Sequence, residues 1–199
     1  RTLREEYGWK GADMRDVSLG GLERVYGAGA VRARARYEAL VRGFVEHFGE
    51  PGAVSYFSAP GRSEIIGNHT DHNGGKILAA SITMDSICVA APTKGSLVRI
   101  VSEGYGEPIV VDLARLDAIA PGAGSTPLVA GLMVALREWG CRLGGFDAYV
   151  SSEVIPSAGV SSSASFEMLV GVLVSGLFNG GSLDIATIAR AGQFAENHY

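Results

Sequence analysis

The chain has 199 residues, 47% of them apolar, and a formal net charge of −4. That length supports one full domain with its own core, and the apolar fraction excludes a disordered chain. No lysine or arginine cluster dominates a segment, so nucleic acid is excluded as the main partner. The longest apolar run, near Met168 to Phe178, is too short to cross a bilayer, and no membrane partner is expected. Cys88 and Cys141 both sit among apolar neighbours and suggest no disulfide framework. With no signal-like opening segment, the expected location is the cytoplasm.

Residues 1–30 are mixed and Gly-rich, and read as an irregular extension with short helices. From Val31 to Phe48, Tyr37, Leu40, Val41, Phe44, Val45 and Phe48 share one face while arginines occupy the rest, which predicts an amphipathic helix stopped by Gly49. His47 falls on the solvent side of that helix. Val54 to Ala59 reads as a strand closed by Pro60-Gly61. Ile77 to Ala91 is a long apolar run, expected to form a buried strand pair or one bent strand. Leu97 to Ser102 and Ile109 to Leu113 are strands around a turn, and Ala114 to Thr126 is a loop. Leu128 to Trp139 is helical, with Leu128, Leu132, Ala135, Leu136 and Trp139 on one face. Phe146 to Val150 is a strand. It feeds the small-residue loop Pro156 to Ala164 and an apolar helix through Phe178, on which Phe166, Leu169, Val170, Leu173, Val174 and Leu177 recur at helical spacing. A last helix covers Ser182 to His198, with Ile185, Ile188 and Ala189 as its apolar side. The class is α+β or α/β.

Two stretches carry chemistry. Pro156-Ser157-Ala158-Gly159-Val160-Ser161-Ser162-Ser163-Ala164 is a loop of small residues at the mouth of a helix. Its serines offer caps and hydroxyls, and the free N–H groups with the helix dipole make an anion site, most often for phosphate. The second stretch runs from Arg62 to Gly75 between apolar strands. The planar fork of Arg62 suits phosphate or carboxylate. Asn68, His69 and Asp71 are close enough in sequence to converge on one polyol. Two other readings stand beside these. His69, Asp71 and His72 could hold a metal, although the spacing matches no standard zinc pattern. The Gly159 to Ser163 loop also resembles a nucleophile elbow that lacks its second glycine, with His47, His69, His72 and His198 as possible bases.

Pro60-Gly61-Arg62 followed by Ile66-Gly67-Asn68-His69-Thr70-Asp71 resembles the galactokinase signature P-G-R-x-N-x-I-G-E-H-x-D-Y. Gly159-Val160-Ser161-Ser162-Ser163-Ala164 resembles the phosphate loop of the GHMP kinases, the superfamily of galactokinase, homoserine kinase, mevalonate kinase and phosphomevalonate kinase. The departures are Glu64 for Asn, Asn68 for Glu, His72 for Tyr and Ser157 for the first loop glycine. No aromatic residue stands before the Leu128 helix, where one often stacks on adenine in the family.

The resemblance implies the α+β GHMP-kinase N-terminal fold, like domain 2 of ribosomal protein S5. A helical extension would occupy residues 1–50 and the sugar- and ATP-binding domain 51–199, with a ferredoxin-like C-terminal domain outside this sequence. It implies ATP and Mg²⁺, and the phosphorylation of the anomeric hydroxyl of galactose. Arg62 would act beside that hydroxyl and the transferred phosphoryl group, while Asn68, His69 and Asp71 would hold the sugar. Ser157, Ala158, Gly159, Val160, Ser161, Ser162 and Ser163 would wrap the ATP phosphates, and Ser163 and Glu196 would bind Mg²⁺. The family's catalytic aspartate would fall beyond Tyr199, so the stretch given should not act as a kinase alone. The alternatives are a galactokinase-like sugar and ATP sensor with little or no turnover, and a kinase for a related sugar such as an amino-sugar. Oligomeric state is left open.

Overall fold

The computed structural model describes residues 19–67, 74–155 and 159–199. A five-stranded sheet carries helices on both faces. In chain order the elements are α1 (Leu19–Tyr26), α2 (Ala30–Phe48), β1 (Ser55–Ile66), β2 (Leu78–Pro92), β3 (Leu97–Ser102), β4 (Ile109–Asp112), α3 (Ser125–Glu138), β5 (Phe146–Ser152), α4 (Ser162–Phe178) and α5 (Ile185–His198). A short 3₁₀ segment, Leu113–Ala118, lies where a loop is expected. The strand order is β1-β2-β5-β3-β4. Only β3 and β5 run parallel; the other neighbours are antiparallel.

Helix α2 follows its apolar stripe. Tyr37, Leu40, Val41 and Phe44 are buried and pack with Ile87, Val89 and Ala91 of β2. The helix stops at Gly49, whose φ of 79° is costly for other residues, and the Gly49 N–H closes on the Val45 carbonyl at 2.9 Å. The alternate residues of β2, Cys88 and Ala90, face the larger core with Val98, Ile100, Phe146, Ala148 and the apolar faces of α3 and α4. One strand thus supplies both cores.

Four expectations need correction. Strand β1 does not close at Pro60-Gly61 but runs on to Ile66. It is an edge strand, where a proline without an N–H is tolerated, and the register shifts from Pro60↔Asp85 to Arg62↔Ser81, with the extra residues on β2. Leu78 to Pro92 is one strand, but only its second half is buried. Ser86 to Ala90 pairs with both β1 and β5, whereas the first half pairs with β1 alone. Trp139 lies exposed just past α3. Helix α5 begins at Ile185 because Asp184 caps it, accepting from the Thr187 N–H at 3.0 Å. Its inner face is Ile188, Ala191, Gly192 and Ala195, while Ile185 and Ala189 face outward.

Candidate functional site

Strand β5 ends at Ser152 and the chain re-enters helix at Ser162. In between, Gly159 has φ 73° and Ser161 takes the left-handed conformation at φ 57°. Such a backbone is strained for a serine. Ser161 occupies the N-cap position, yet no side chain caps α4. The expected serine cap is therefore absent. Ser161 thus gives the first-turn N–H groups no side-chain acceptor, which suits an anion at the positive end of the helix.

The entry is fastened to the sheet on two sides. The Arg62 N–H donates to the Val160 carbonyl at 3.2 Å, so the outer half of β1 lies against the loop. Gly61 allows this approach: a Cβ there would stand 3.0 Å from the Val160 oxygen and 3.0 Å from Val154 Cγ1. Deeper in, buried Ser165 donates to the Ala59 carbonyl at 3.0 Å. Ser86 Oγ lies 3.0 Å from Ser165 Oγ and 2.8 Å from Ser152 Oγ. With one hydrogen per hydroxyl, the chain that satisfies all four groups runs Ser152 to Ser86 to Ser165 to Ala59. It ties α4 to β1, β2 and β5 three residues before Arg62.

A cleft of about 370 Å³ opens beside this entry, lined by Ser162, Ser163 and Phe166 of α4, the β3–β4 turn, and Ser125 and Leu128 of α3. The turn contributes Glu103, Tyr105 and Glu107. Tyr105 thus brings an aromatic side chain to this cleft, from a segment that reads locally as an ordinary turn.

Ser163 Oγ donates to Glu196 Oε1 at 2.9 Å, across the contact of α4 with α5. Beneath them lies Glu167, which sequence reasoning passed over as one polar residue in an apolar helix. It is 5% exposed, and its Oε1 has no hydrogen-bond partner among the described residues. Burial, then the charge of Glu196 and a hydrogen bond to it, push the Glu167 carboxyl up to about 8. Among the described residues, no group of three or more His, Cys, Asp or Glu side chains could hold a metal ion.

A second cavity, of about 950 Å³, lies between α1, α2 and the β1–β2 pair. Arg32, Arg36, Asp85 and Glu153 line it, and Asp85 accepts from Arg36 Nη1 and the Tyr26 hydroxyl at 2.6 Å each and from Ser58 Oγ at 2.7 Å. Those bonds satisfy the carboxylate and hold the N-terminal helices to the sheet. His47 and His198 each pair with a carbonyl one turn back on their own helix, so neither is engaged with the loop serines. Asn68, His69 and Asp71, with His72, lie outside the described residues, as do Ser157 and Ala158.

The model for the galactokinase galactose-binding signature matches residues 42–92, and that for the GHMP kinase N-terminal domain matches residues 127–199. The chain has the fold of the GHMP kinase N-terminal domain. The motif around Arg62 falls inside the first match, and Ser161 to Ser163 and Glu196 fall inside the second. Galactokinase from Lactococcus lactis subsp. lactis is 36% identical over 166 residues, covering 81% of this chain and 41% of that protein. The Lacticaseibacillus casei galactokinase is 30% identical over 162 residues, with 80% and 41% covered. The crystal structure of Lactococcus lactis galactokinase complexed with galactose superposes with a TM-score of 0.74 at 33% identity, covering 81% of this chain and 42% of that one. Methanococcus jannaschii mevalonate kinase shares the fold, with a TM-score of 0.61 at 20% identity over 73% of this chain and 47% of its own. The chain therefore spans about 41% of the length of the curated galactokinases it matches. Among the described residues no helix is long and apolar enough to cross a membrane.

Proposed function

We propose that the protein to which this chain belongs is a sugar 1-kinase that transfers the γ-phosphoryl group of ATP to the anomeric hydroxyl of galactose. The observation that carries the reading is the Arg62 to Val160 hydrogen bond, which joins the galactokinase-type strand to the phosphate loop. Phosphoryl transfer asks mainly for positioning and for stabilisation of charge on the transferring group. The uncapped α4 entry supplies N–H groups and the helix dipole to the ATP phosphates. Gly159 to Ser163 form the described part of that cradle, with Ser157 and Ala158 ahead of them. Arg62 stabilises charge on the transferred group and draws the attacking hydroxyl's base toward its ionised form. Asn68, His69 and Asp71 bind the sugar hydroxyls.

Ser163 and Glu196 would hold Mg²⁺. A hydroxyl and a carboxylate oxygen already 2.9 Å apart are the hard donors that this ion takes, few in number because the nucleotide phosphates supply others. When bound, the ion neutralises charge on the phosphate oxygens. Tyr105 gives the nucleotide cleft an aromatic wall.

The test is ADP release by the full-length protein, coupled to a spectrophotometric reaction, across galactose, its epimers and amino-sugars. Galactose-dependent turnover is the expected result. Binding of galactose and ATP without ADP release would replace the kinase by a sensor, and turnover on an amino-sugar alone would reassign the acceptor.

A further inference from the structure

Strand β5 is followed at once by Glu153, three residues ahead of Pro156, where the small-residue loop begins. Helix α2 holds that residue. Arg32 Nη2 donates to Glu153 Oε1, and Arg36 Nη1 lies 3.4 Å from Glu153 Oε2. Arg36 also reaches Asp85: Nη1 donates to Oδ1 at 2.6 Å, and Nη2 to the main-chain carbonyl at 3.2 Å. The same carbonyl accepts from the Glu153 N–H at 3.0 Å. Asp85 in turn pairs with Pro60 in the sheet and accepts from Ser58 Oγ, so it is fastened to the strand that carries Arg62. The side chains of Arg36 and Asp85 are only 16% and 5% exposed. Packing does not ask for this cluster, because Tyr37, Leu40, Val41 and Phe44 already seat α2 on β2. A desolvated ion pair adds little stability over apolar side chains of the same volume. What a guanidinium fork on fixed acceptors does impose is one geometry. Arg32 and Arg36 also lie ahead of both family matches, which start at residues 42 and 127.

We propose that Arg36 is a positioning residue. By gripping Asp85 and Glu153 together, it fixes the start of the phosphate loop against the strand that carries Arg62. It thereby sets where the γ-phosphoryl group of ATP lies relative to the Arg62 guanidinium. The far side of the loop is held by the bond from the Arg62 N–H to the Val160 carbonyl, so the loop is clamped at both ends. Helix α2 is then a working part of the site rather than an appendage to it. This rests on the reading of the loop as the cradle of the ATP phosphates.

The experiment measures ADP and galactose affinity by calorimetry, and galactose-dependent ADP release, at a temperature where every protein is folded by circular dichroism. It compares the full-length protein with Arg36→Lys, Glu153→Ala, their double variant and Val41→Ala. Arg36→Lys keeps the charge, but one ammonium cannot reach all three oxygens. It should weaken ADP binding and lower kcat, each about 10- to 100-fold, the scale of loss for a misplacement of about 1 Å, with galactose affinity unchanged. Glu153→Ala should act in the same direction, and the double variant should be no worse than Arg36→Lys, since both break one link. Val41→Ala loosens α2 in its core without touching the cluster. It should lower Tm yet keep wild-type ADP affinity and kcat. Wild-type ADP affinity in Arg36→Lys overturns the proposal. So does a loss in Val41→Ala equal to that in Arg36→Lys, because the stability of α2 would then be what matters, and so does an equal loss of galactose affinity, because the whole sheet would have moved. If the protein binds ADP without turnover, ADP affinity alone decides. A wild-type protein that binds no ADP removes the phosphate-loop reading, and the inference with it. Wild-type binding with unchanged variants removes the inference alone.

Discussion

Helices α4 and α5 cross at Gly171, and a methyl group added there should loosen both the core and the site. A Cβ on Gly171 would overlap Cγ2 of Ile188 and lie 3.3 Å from its Cβ. Ile188 is fully buried and branched at Cβ, so the contact cannot swing away. Gly171→Ala gains about 1 kcal/mol of helix propensity and loses about 2–3 kcal/mol to overpacking, the upper part of the usual range because the overlap is with a buried, branched side chain. A net destabilisation of about 1–2 kcal/mol is expected, or roughly 2–8 °C in Tm for a domain of this size. Removing Ile188 relieves the overlap. Ile188→Ala alone should cost about 2–5 kcal/mol through the cavity it leaves. In the double variant the new methyl occupies part of that cavity, so the pair should be at least about 1 kcal/mol more stable than the sum of the singles. Urea unfolding of the four full-length proteins measures the cycle. Gly171 lies eight residues from Ser163, about 12 Å along the helix, so displacement of α5 should also weaken cation binding in the presence of ADP. A Gly171→Ala protein as stable as wild type, or singles that add to within about 0.5 kcal/mol, would refute the view that this crossing sets the helix separation.

Because the Glu167 carboxyl is held up near 8 in the folded chain and titrates near 4.5 when unfolded, its contribution is fully present below about pH 4.5. It falls as pH rises through 8, by about 1.4 kcal/mol per unit at most. Glu167→Gln should flatten that slope in urea unfolding between pH 5 and 8.5, and parallel curves would contradict the assignment. Ser165→Ala leaves the Ala59 carbonyl and one side of Ser86 without partners in the core and should cost about 1–3 kcal/mol. Amide exchange near Arg62 should rise with it, and unchanged exchange would show that the serine chain does not hold β1. Arg62→Ala in the full-length protein should lower kcat about 10²–10³-fold with a smaller change in sugar KM, and steady-state kinetics with an unchanged kcat would end its proposed role.

The parts of the fold that could be read early are those whose signal is local. Tyr37, Leu40, Val41 and Phe44 set α2 to within a residue of its expected start, because a stripe at helical spacing ending in glycine has few other uses. The parts that could not are those decided by distant partners. Pro60-Gly61 reads as a turn in any local window. Only the edge position of β1 and the register shift opposite Ser81 and Asp85 let the strand continue. The apolar first half of β2 is exposed because β5 ends at Ser152, opposite Ser86, and no hydrophobicity scale applied to Leu78 to Ser81 contains that fact.

The site divides in the same way. Arg62 and the serine loop are visible as motifs, since their chemistry needs particular residues at particular spacings. Tyr105 and Glu167 are not, since their placement depends on the turn and the helix crossing that bring them in. Glu167 did leave a trace: it is the one charged residue between Ser163 and Phe178, four positions after the serine read as a ligand. A carboxyl there must point into the core or beside that serine, and the glycine at 192 gives it space for both. The proposed phosphate cradle and Ser163 share α4, which is pinned to the sheet by Ser165 and packed on α5 at Gly171, while Glu196 reaches Ser163 from α5. On the proposed function, nucleotide and cation sites are therefore coupled mechanically. A change that shifts α4 by a fraction of an ångström disturbs both, whereas a change confined to the β3–β4 turn reaches the nucleotide cleft alone.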